Sequence, residues 1–230
     1  MIDRAEQIFQ FLPMKYSSVS DEEYVSYWWN AYTKNFEEEN YHVAFLAFHI
    51  LYMTAVYFLL YKVSKIHRLV YEHSLFHMGN EEERHYLGIN SAFSFVEMGE
   101  TSVFRFLKVA GADQSLIGDV SRFCKERNNA AHARGVIFFK NDPGSLEKKA
   151  VEYVKALEKI QNLLIGDSVK VSQSWKVSQM DEAAMRLYLE SEILVNNLNP
   201  TEVNAIALSE KPKRAQLSKL LTNLVAEVSE

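Results

Sequence analysis

The spacing of apolar residues along the chain predicts α-helices almost throughout. Ser20 begins a polar run with Glu23 three residues later, and this capping-box pattern predicts a helix through about Glu38. Apolar residues then continue from Tyr41 to about Val70, which indicates one long helix. No segment shows a sustained alternation of apolar and polar residues, so the pattern predicts an all-α protein.

The later segments extend the helical pattern. The predicted elements are a helix over Glu82–Val109 with candidate breaks at Gly88 and Gly99, a helix capped by Asp113, and a helix capped by Ser145 that reaches Ile165. Short loops between them favour antiparallel neighbours. The expected architecture is an antiparallel helical bundle over residues 40–166, with an N-terminal helical arm over 1–39. A C-terminal helical appendage over 167–230 would carry helices at Asp181–Asn197, Pro200–Leu208 (capped by Asn199) and Arg214–Val228.

The segment from Tyr41 to Tyr61 carries no formally charged residue and is long enough to span a bilayer. It also contains His42, His49 and Thr54, and polar groups are costly in the middle of a membrane. We therefore predict a central helix buried on all sides, and a membrane-associated protein is the alternative. His42 and His49 share a face of this helix and are expected to hydrogen-bond within a core or dimer interface.

Composition places the chain in a reducing compartment. It has one cysteine, Cys124, which excludes an internal disulfide framework, and its N-terminus lacks the pattern of a signal peptide. We expect a cytoplasmic protein without a membrane partner. The net charge of -5 argues against bulk attraction to nucleic acid. A local exception lies within Val120–Lys140, where five basic residues oppose one acidic residue: Arg122, Lys125, Arg127, Arg134 and Lys140 against Glu126.

The basic segment contains the one motif with a chemical pattern. Arg127 is followed by Asn128, and after four intervening residues by His132, in the run "RNNAAHA". Arg68 and His73 fit the same bare spacing, but Leu69 follows Arg68, so the spacing alone has little weight. The polar Asn128 and the helical setting distinguish Arg127 and His132 from Arg68 and His73.

This pattern resembles the signature of the HEPN superfamily (higher eukaryotes and prokaryotes nucleotide-binding), in which an arginine, often followed by Asn, Asp or His, precedes a histidine by four to six residues. The resemblance implies a helical bundle, usually a homodimer, whose two motifs meet in one cleft. Many members are metal-independent endoribonucleases of toxin–antitoxin and antiviral defence systems, so RNA is the expected substrate. No metal or cofactor is expected, and an antitoxin or regulatory protein is a possible partner.

The resemblance assigns roles to the motif residues. Arg127 would stabilise the phosphate, His132 would transfer protons, and Asn128 would position them. Arg122, Lys125, Arg134 and Lys140 would guide RNA into the cleft. Positions five apart on an ideal helix lie about 140° apart in rotation. Convergence of Arg127 and His132 therefore requires either a helix break at Asn128 and Asn129 or a second chain.

Two other interpretations stay open on the sequence. The first is a non-catalytic helical interaction or regulatory module, because the HEPN superfamily includes members that cleave nothing. The second is a metal site at His73 and His77, which lie four residues apart and would share a helical face. Ser74 stands where a zinc peptidase helix has its glutamate, and surface histidines are the simpler interpretation.

Overall fold

The computed structural model describes residues 3–66, 68–76, 78–132 and 136–164, and from the C-terminal segment residues 181, 183, 184, 187 and 199–202. The described elements are α1 (Asp3–Glu6), α2 (Val19–Glu37), α3 (Tyr41–Ile66), α4 (Arg68–Leu75), α5 (Asn80–Leu87), α6 (Glu100–Val109), α7 (Gln114–Ala131), α8 (Pro143–Leu164) and two 3-10 helices, Gln7–Gln10 and Ala92–Met98. No strand occurs among the described residues, and the predicted all-α class is confirmed.

The chain forms two compact units. The first comprises Met1–Ile8 and Glu22–Leu164, and the second comprises Phe9–Asp21 and Ile165–Glu230. The three-part division predicted from the sequence stays a prediction. Most of the predicted C-terminal helices lie outside the described residues.

Helix α3 lies at the centre of the first unit. It packs against α4, α7, α8 and the 3-10 helix Ala92–Met98. Although α3 is long and apolar enough to cross a membrane, 83% of its most apolar window is buried within the protein. An aromatic cluster joins it to its neighbours: the Tyr153 ring of α8 lies 4.6 Å from Tyr52 and 4.1 Å from Phe123 of α7, measured between centroids. The expectation of a buried central helix is confirmed.

The helix ends follow local capping chemistry. Asp113 caps α7 as predicted, because its Oδ1 accepts a hydrogen bond from Leu116 N at 2.7 Å. In the second unit Asn199, which precedes Pro200, forms a reciprocal capping box with Glu202, and this confirms the predicted cap.

Two predicted caps were wrong. Helix α2 begins at Val19, and Ser18 instead of Ser20 accepts from Asp21 N. Helix α8 begins at Pro143, and its cap is Asp142, whose Oδ1 accepts from Ser145 N at 3.0 Å. Proline suits the first helical position, where its missing N–H costs nothing, and this moves the start two residues ahead of Ser145.

The predicted breaks at Gly88 and Gly99 both occur. Gly88 follows α5, and Gly99 separates the 3-10 helix Ala92–Met98 from α6. Gly99 has a φ of 70° and a ψ of 145°, a conformation that side chains with a Cβ rarely adopt. This sharp turn sets the position of Glu100, the first residue of α6.

Candidate functional site

The motif residues lie at the C-terminal end of α7. Arg127 is partly buried, with 30% of its side chain exposed, and it lines an open cavity. Asn128 is exposed, and its carbonyl accepts a hydrogen bond from His132 N at 3.1 Å. His132 is exposed, and it is not among the described residues that line this cavity.

The helix does not break at Asn128 and Asn129. Helix α7 continues to Ala131, and His132 follows it in an extended conformation with a φ of -98° and a ψ of 144°. His132 is therefore the residue that ends the helix, and its side chain is exposed. The first of the two alternatives, a helix break at Asn128 and Asn129, therefore does not occur. The second alternative, completion by another chain, stays a prediction.

The basic residues assigned to RNA have different surroundings. Arg122 pairs with Glu152 at 2.9 Å, Asp119 at 3.1 Å and Glu126 at 3.5 Å. Hydrogen bonding to Glu152 raises the pKa of Arg122. The sequence count of charges omits Asp119 and Glu152, which folding brings to Arg122 and which offset its charge. Lys125 and Lys140 are exposed, and Arg134 lies outside the described residues.

Glu100 connects three helices through its carboxylate. Its Oε1 accepts from Arg127 Nη2 of α7 and lies 3.2 Å from His49 Nε2 of α3. Its Oε2 accepts from the thiol of Cys124, one turn before Arg127. The carboxylate also lies at the N-terminus of α6, where the helix dipole favours negative charge. Glu100 therefore holds the motif arginine in place from a separate helix.

His49 extends this network into the core. Its Nδ1 lies 2.9 Å from the hydroxyl of Tyr153, and both side chains are buried. An ionised carboxylate only accepts hydrogen bonds, so His49 Nε2–H donates to Glu100. Nδ1 must then accept from Tyr153 O–H. The prediction that His49 hydrogen-bonds within the core is confirmed.

The network shifts the pKa of each member. Burial alone would raise the pKa of Glu100, but hydrogen bonds from His49, Cys124 and Arg127 lower it from 4.5 to about 2. Burial lowers the pKa of His49 and thereby favours the neutral imidazole, against the opposing effect of Glu100. Burial and the hydrogen bond to Glu100 raise the pKa of Cys124. Cys124 is a protonated thiol at neutral pH, so it is not a nucleophile in this state.

The cavity beside Glu100 and Arg127 has a volume of about 530 Å³. Its walls are mainly apolar and include Tyr24, Trp28 and Tyr57, while His49, Glu100 and Arg127 form its polar part. This volume is within the range of about 300–1,000 Å³ that small-ligand pockets occupy.

His42 fixes the end of the motif helix. Its Nδ1 accepts from Phe138 N at 3.0 Å, so its Nε2–H donates to the carbonyl of Ala130 at 3.1 Å. One imidazole thus connects α3, the last turn of α7 and the segment before α8. The predicted hydrogen bonding of His42 within the protein is confirmed, at a half-buried position.

Replacing His42 with leucine is expected to destabilise the protein by about 1–3 kcal/mol, because two backbone groups lose their partner while the side-chain volume is kept. Urea unfolding of His42→Leu measures this loss. His73→Leu, at an exposed position of α4, is the control and is expected to change the free energy of unfolding little. Equal stability of the two variants would contradict the assigned role of His42.

The lowered pKa of Glu100 predicts a specific loss of stability in acid. Below pH 4.5, the ordinary pKa of a glutamate, Glu100 binds a proton in the unfolded chain, whereas in the folded protein its carboxylate stays ionised until about pH 2. The contribution of Glu100 is thus present above about pH 5 and lost as pH falls from about 5 to 2. Urea unfolding across this range is expected to show a smaller acid loss for Glu100→Gln than for the unchanged protein. Glu97→Gln, an exposed control, is expected to follow the unchanged protein.

Sequence reasoning missed Glu100 and Tyr153, which hold the site together. One signal for Glu100 was present: it precedes the buried residues Val103, Phe104 and Leu107 by three, four and seven positions, so it lies on the apolar face of α6. A carboxylate on such a face requires a partner. Tyr153 gave no signal, because it has the helical spacing of an ordinary core residue.

Comparison of the chain with protein-family models, with curated proteins and with solved structures finds no match.

Proposed function

We propose that the chain is a metal-independent endoribonuclease of the HEPN type that acts as a homodimer. The observation that carries the proposal is the placement of the motif at the end of α7. Arg127 lines a cavity there, and His132 is exposed just beyond the helix. The described chain is all-α, as the resemblance implies. Two copies that pair at this end would bring a second motif to the same cleft.

The residue types suit RNA cleavage without a metal. The ribose 2′-oxygen attacks phosphorus, the 5′-oxygen leaves, and a 2′,3′-cyclic phosphate forms. An imidazole can act as general base or general acid, so His132 can take the proton from the 2′-hydroxyl or give one to the leaving oxygen. Arg127 offsets the charge that develops on the phosphate oxygens, and Asn128 positions the reacting groups.

The ion pair with Glu100 leaves Arg127 able to contact phosphate. A guanidinium has five N–H donors, and the described contact with Glu100 uses Nη2 alone. Glu100 therefore restrains the side chain, and the remaining donors can serve a substrate. This restraint reduces the conformational entropy that Arg127 loses when phosphate binds.

The biological setting follows from the same resemblance. We propose a cytoplasmic toxin or antiviral defence factor whose activity is held in check by an antitoxin or regulatory protein. Lys125 and Lys140 are exposed and available to RNA, whereas Arg122 is engaged with carboxylates.

The proposal is tested by incubating the purified chain with single-stranded RNA in excess EDTA. Cleavage products with 2′,3′-cyclic phosphate ends, identified by mass spectrometry, are expected. A requirement for added metal, or products with 3′-hydroxyl ends, would contradict the mechanism.

A non-catalytic interaction or regulatory module is the second candidate. It is favoured by two observations: Arg127 already has a counter-charge in Glu100, and the adjoining cavity is mainly apolar. A module of this kind, such as a regulatory dimer or the partner of a nucleotidyltransferase, would dimerise without cleaving RNA. Expression without growth arrest, together with dimerisation and no cleavage, would favour it.

A further inference from the structure

We propose that His49, Glu100 and Cys124 form a binding site for one divalent transition-metal ion of the zinc class. This site shares Glu100 with Arg127, but the proposal does not depend on the proposed function. The three side chains come from three helices, α3, α6 and α7, and converge beside the cavity.

The distances fit a single ion. One ligand atom from each of the three residues lies within 4.8 Å of the other two, and His49 Nε2 is 3.2 Å from Glu100 Oε1. With zinc–ligand bonds of about 2.0–2.3 Å, ligand atoms of a tetrahedral site lie roughly 3.3–3.8 Å apart. Small side-chain adjustments therefore suffice to place an ion between them.

The ligand set selects the metal class. One nitrogen, one oxygen and one sulfur suit a borderline cation such as Zn²⁺ or Co²⁺. Magnesium and calcium prefer sites made of oxygen alone, so an imidazole and a thiolate argue against both. His49 and Glu100 also line the cavity of about 530 Å³, so a fourth ligand, such as water, can enter from there.

Two tyrosine hydroxyls around the cluster support the site. The hydroxyl of Tyr153 lies 2.9 Å from His49 Nδ1, which is the outer hydrogen bond that orients a metal-ligating histidine. The hydroxyl of Tyr52 is buried without a hydrogen-bond partner among the described residues. The Tyr52 ring lies 6.0 Å from the ring of His49, measured between centroids, so it stands beside one of the three ligands. A buried hydroxyl without a partner at this place is available to a ligand or water of the ion.

Binding has a defined balance of charge and protons. The thiol of Cys124 releases one proton to solvent as the metal–sulfur bond forms. His49 turns its Nε2 lone pair to the ion and carries its proton on Nδ1, towards the Tyr153 oxygen. The ion replaces Arg127 as the counter-charge of Glu100, and the guanidinium keeps its own charge. One dication with one carboxylate and one thiolate gives a neutral centre, and the positive charge of Arg127, whose side chain is 30% exposed, is then compensated by solvent.

Cobalt is the probe, because its spectrum identifies sulfur ligation. The full-length chain, freed of metal with a chelator and kept reduced, is titrated with Co²⁺. We expect one ion per chain, visible bands of a tetrahedral centre and a near-ultraviolet thiolate-to-cobalt charge-transfer band. The chain has one cysteine, so this band can arise only from Cys124. Zn²⁺ is expected to displace the cobalt and abolish the spectrum.

Variants distinguish cobalt binding at this cluster from cobalt binding at other side chains. Cys124→Ser is expected to lose the charge-transfer band. His49→Gln and Glu100→Gln are each expected to weaken cobalt binding at least about 100-fold, because losing a direct ligand weakens metal binding more than losing an outer hydrogen-bond partner does. Tyr153→Phe is expected to weaken binding about 10-fold. His73→Gln is the matched control at an exposed histidine and is expected to change nothing.

Absence of the charge-transfer band in the unchanged chain overturns the proposal, whatever the folding of the variants. A band that survives both His49→Gln and Glu100→Gln overturns it as well. X-ray absorption of the zinc-loaded chain is the independent measurement, and it is expected to show one sulfur and at least two nitrogen or oxygen neighbours. A zinc environment without sulfur contradicts the site.

Discussion

Replacing Arg127 or His132 with alanine is expected to reduce RNA cleavage by about 10²–10³-fold for each variant. Arg127 is proposed to offset charge that develops only in the transition state, and loss of one such donor has an effect of this size. Proton transfer by a positioned histidine contributes about 10²–10⁴-fold. Because both groups act on the reacting phosphate, kcat is expected to fall more than KM rises.

The control for these variants is the second pair with the same spacing. Arg68 and His73 lie on α4, where Arg68 pairs with Glu72 at 2.7 Å, and both are exposed. Arg68→Ala and His73→Ala are expected to retain full cleavage. Cleavage that survives both Arg127→Ala and His132→Ala, or that falls equally in the control pair, would contradict the assigned roles.

Glu100→Ala is expected to be the most destabilising single change near the site, by about 2–4 kcal/mol. The substitution leaves the Arg127 guanidinium, the buried His49 and the Cys124 thiol without their common acceptor. Removing one partner of a mostly buried ion pair lowers the free energy of unfolding by more than the pair itself contributes, since the remaining charge stays partly desolvated. The free energy of urea unfolding measures the effect.

Two comparisons sharpen the result for Glu100. Glu100→Gln keeps the shape and one acceptor oxygen, so we expect a loss smaller than that of Glu100→Ala. Glu97→Ala removes a carboxylate that is 76% exposed and is expected to cost less than about 0.5 kcal/mol. A loss for Glu100→Ala as small as that for Glu97→Ala would show that the network does not stabilise the fold.

Local patterns in the sequence were enough to predict the all-α class and several of the described helices. The apolar run of α3, the cap at Asp113 and the breaks at Gly88 and Gly99 all depend on residues close together in the chain. The capping errors at Ser20 and Ser145 arose because nearby alternatives, Ser18 and Asp142, provide the same side-chain oxygen two or three residues earlier.

The site could be predicted only in part. The run "RNNAAHA" identified Arg127, but its partner Glu100 lies 27 residues earlier on another helix, and the sequence does not show that folding brings them together. The same holds for His49 and Tyr153, which are 104 residues apart. The end of α7 depends in part on His42, a third distant contact, so a break at the asparagines could not be judged from local propensity alone.

Complementation between two inactive variants tests the composite site most directly. Arg127→Ala and His132→Ala chains carrying different tags are co-expressed, and mixed dimers are isolated through both tags. If each site takes its arginine from one chain and its histidine from the other, one of the two sites is intact, and we expect about half of the unchanged protein's cleavage rate. Mixed dimers as inactive as either variant alone, or failure of the chain to dimerise, would contradict a composite Arg127–His132 site.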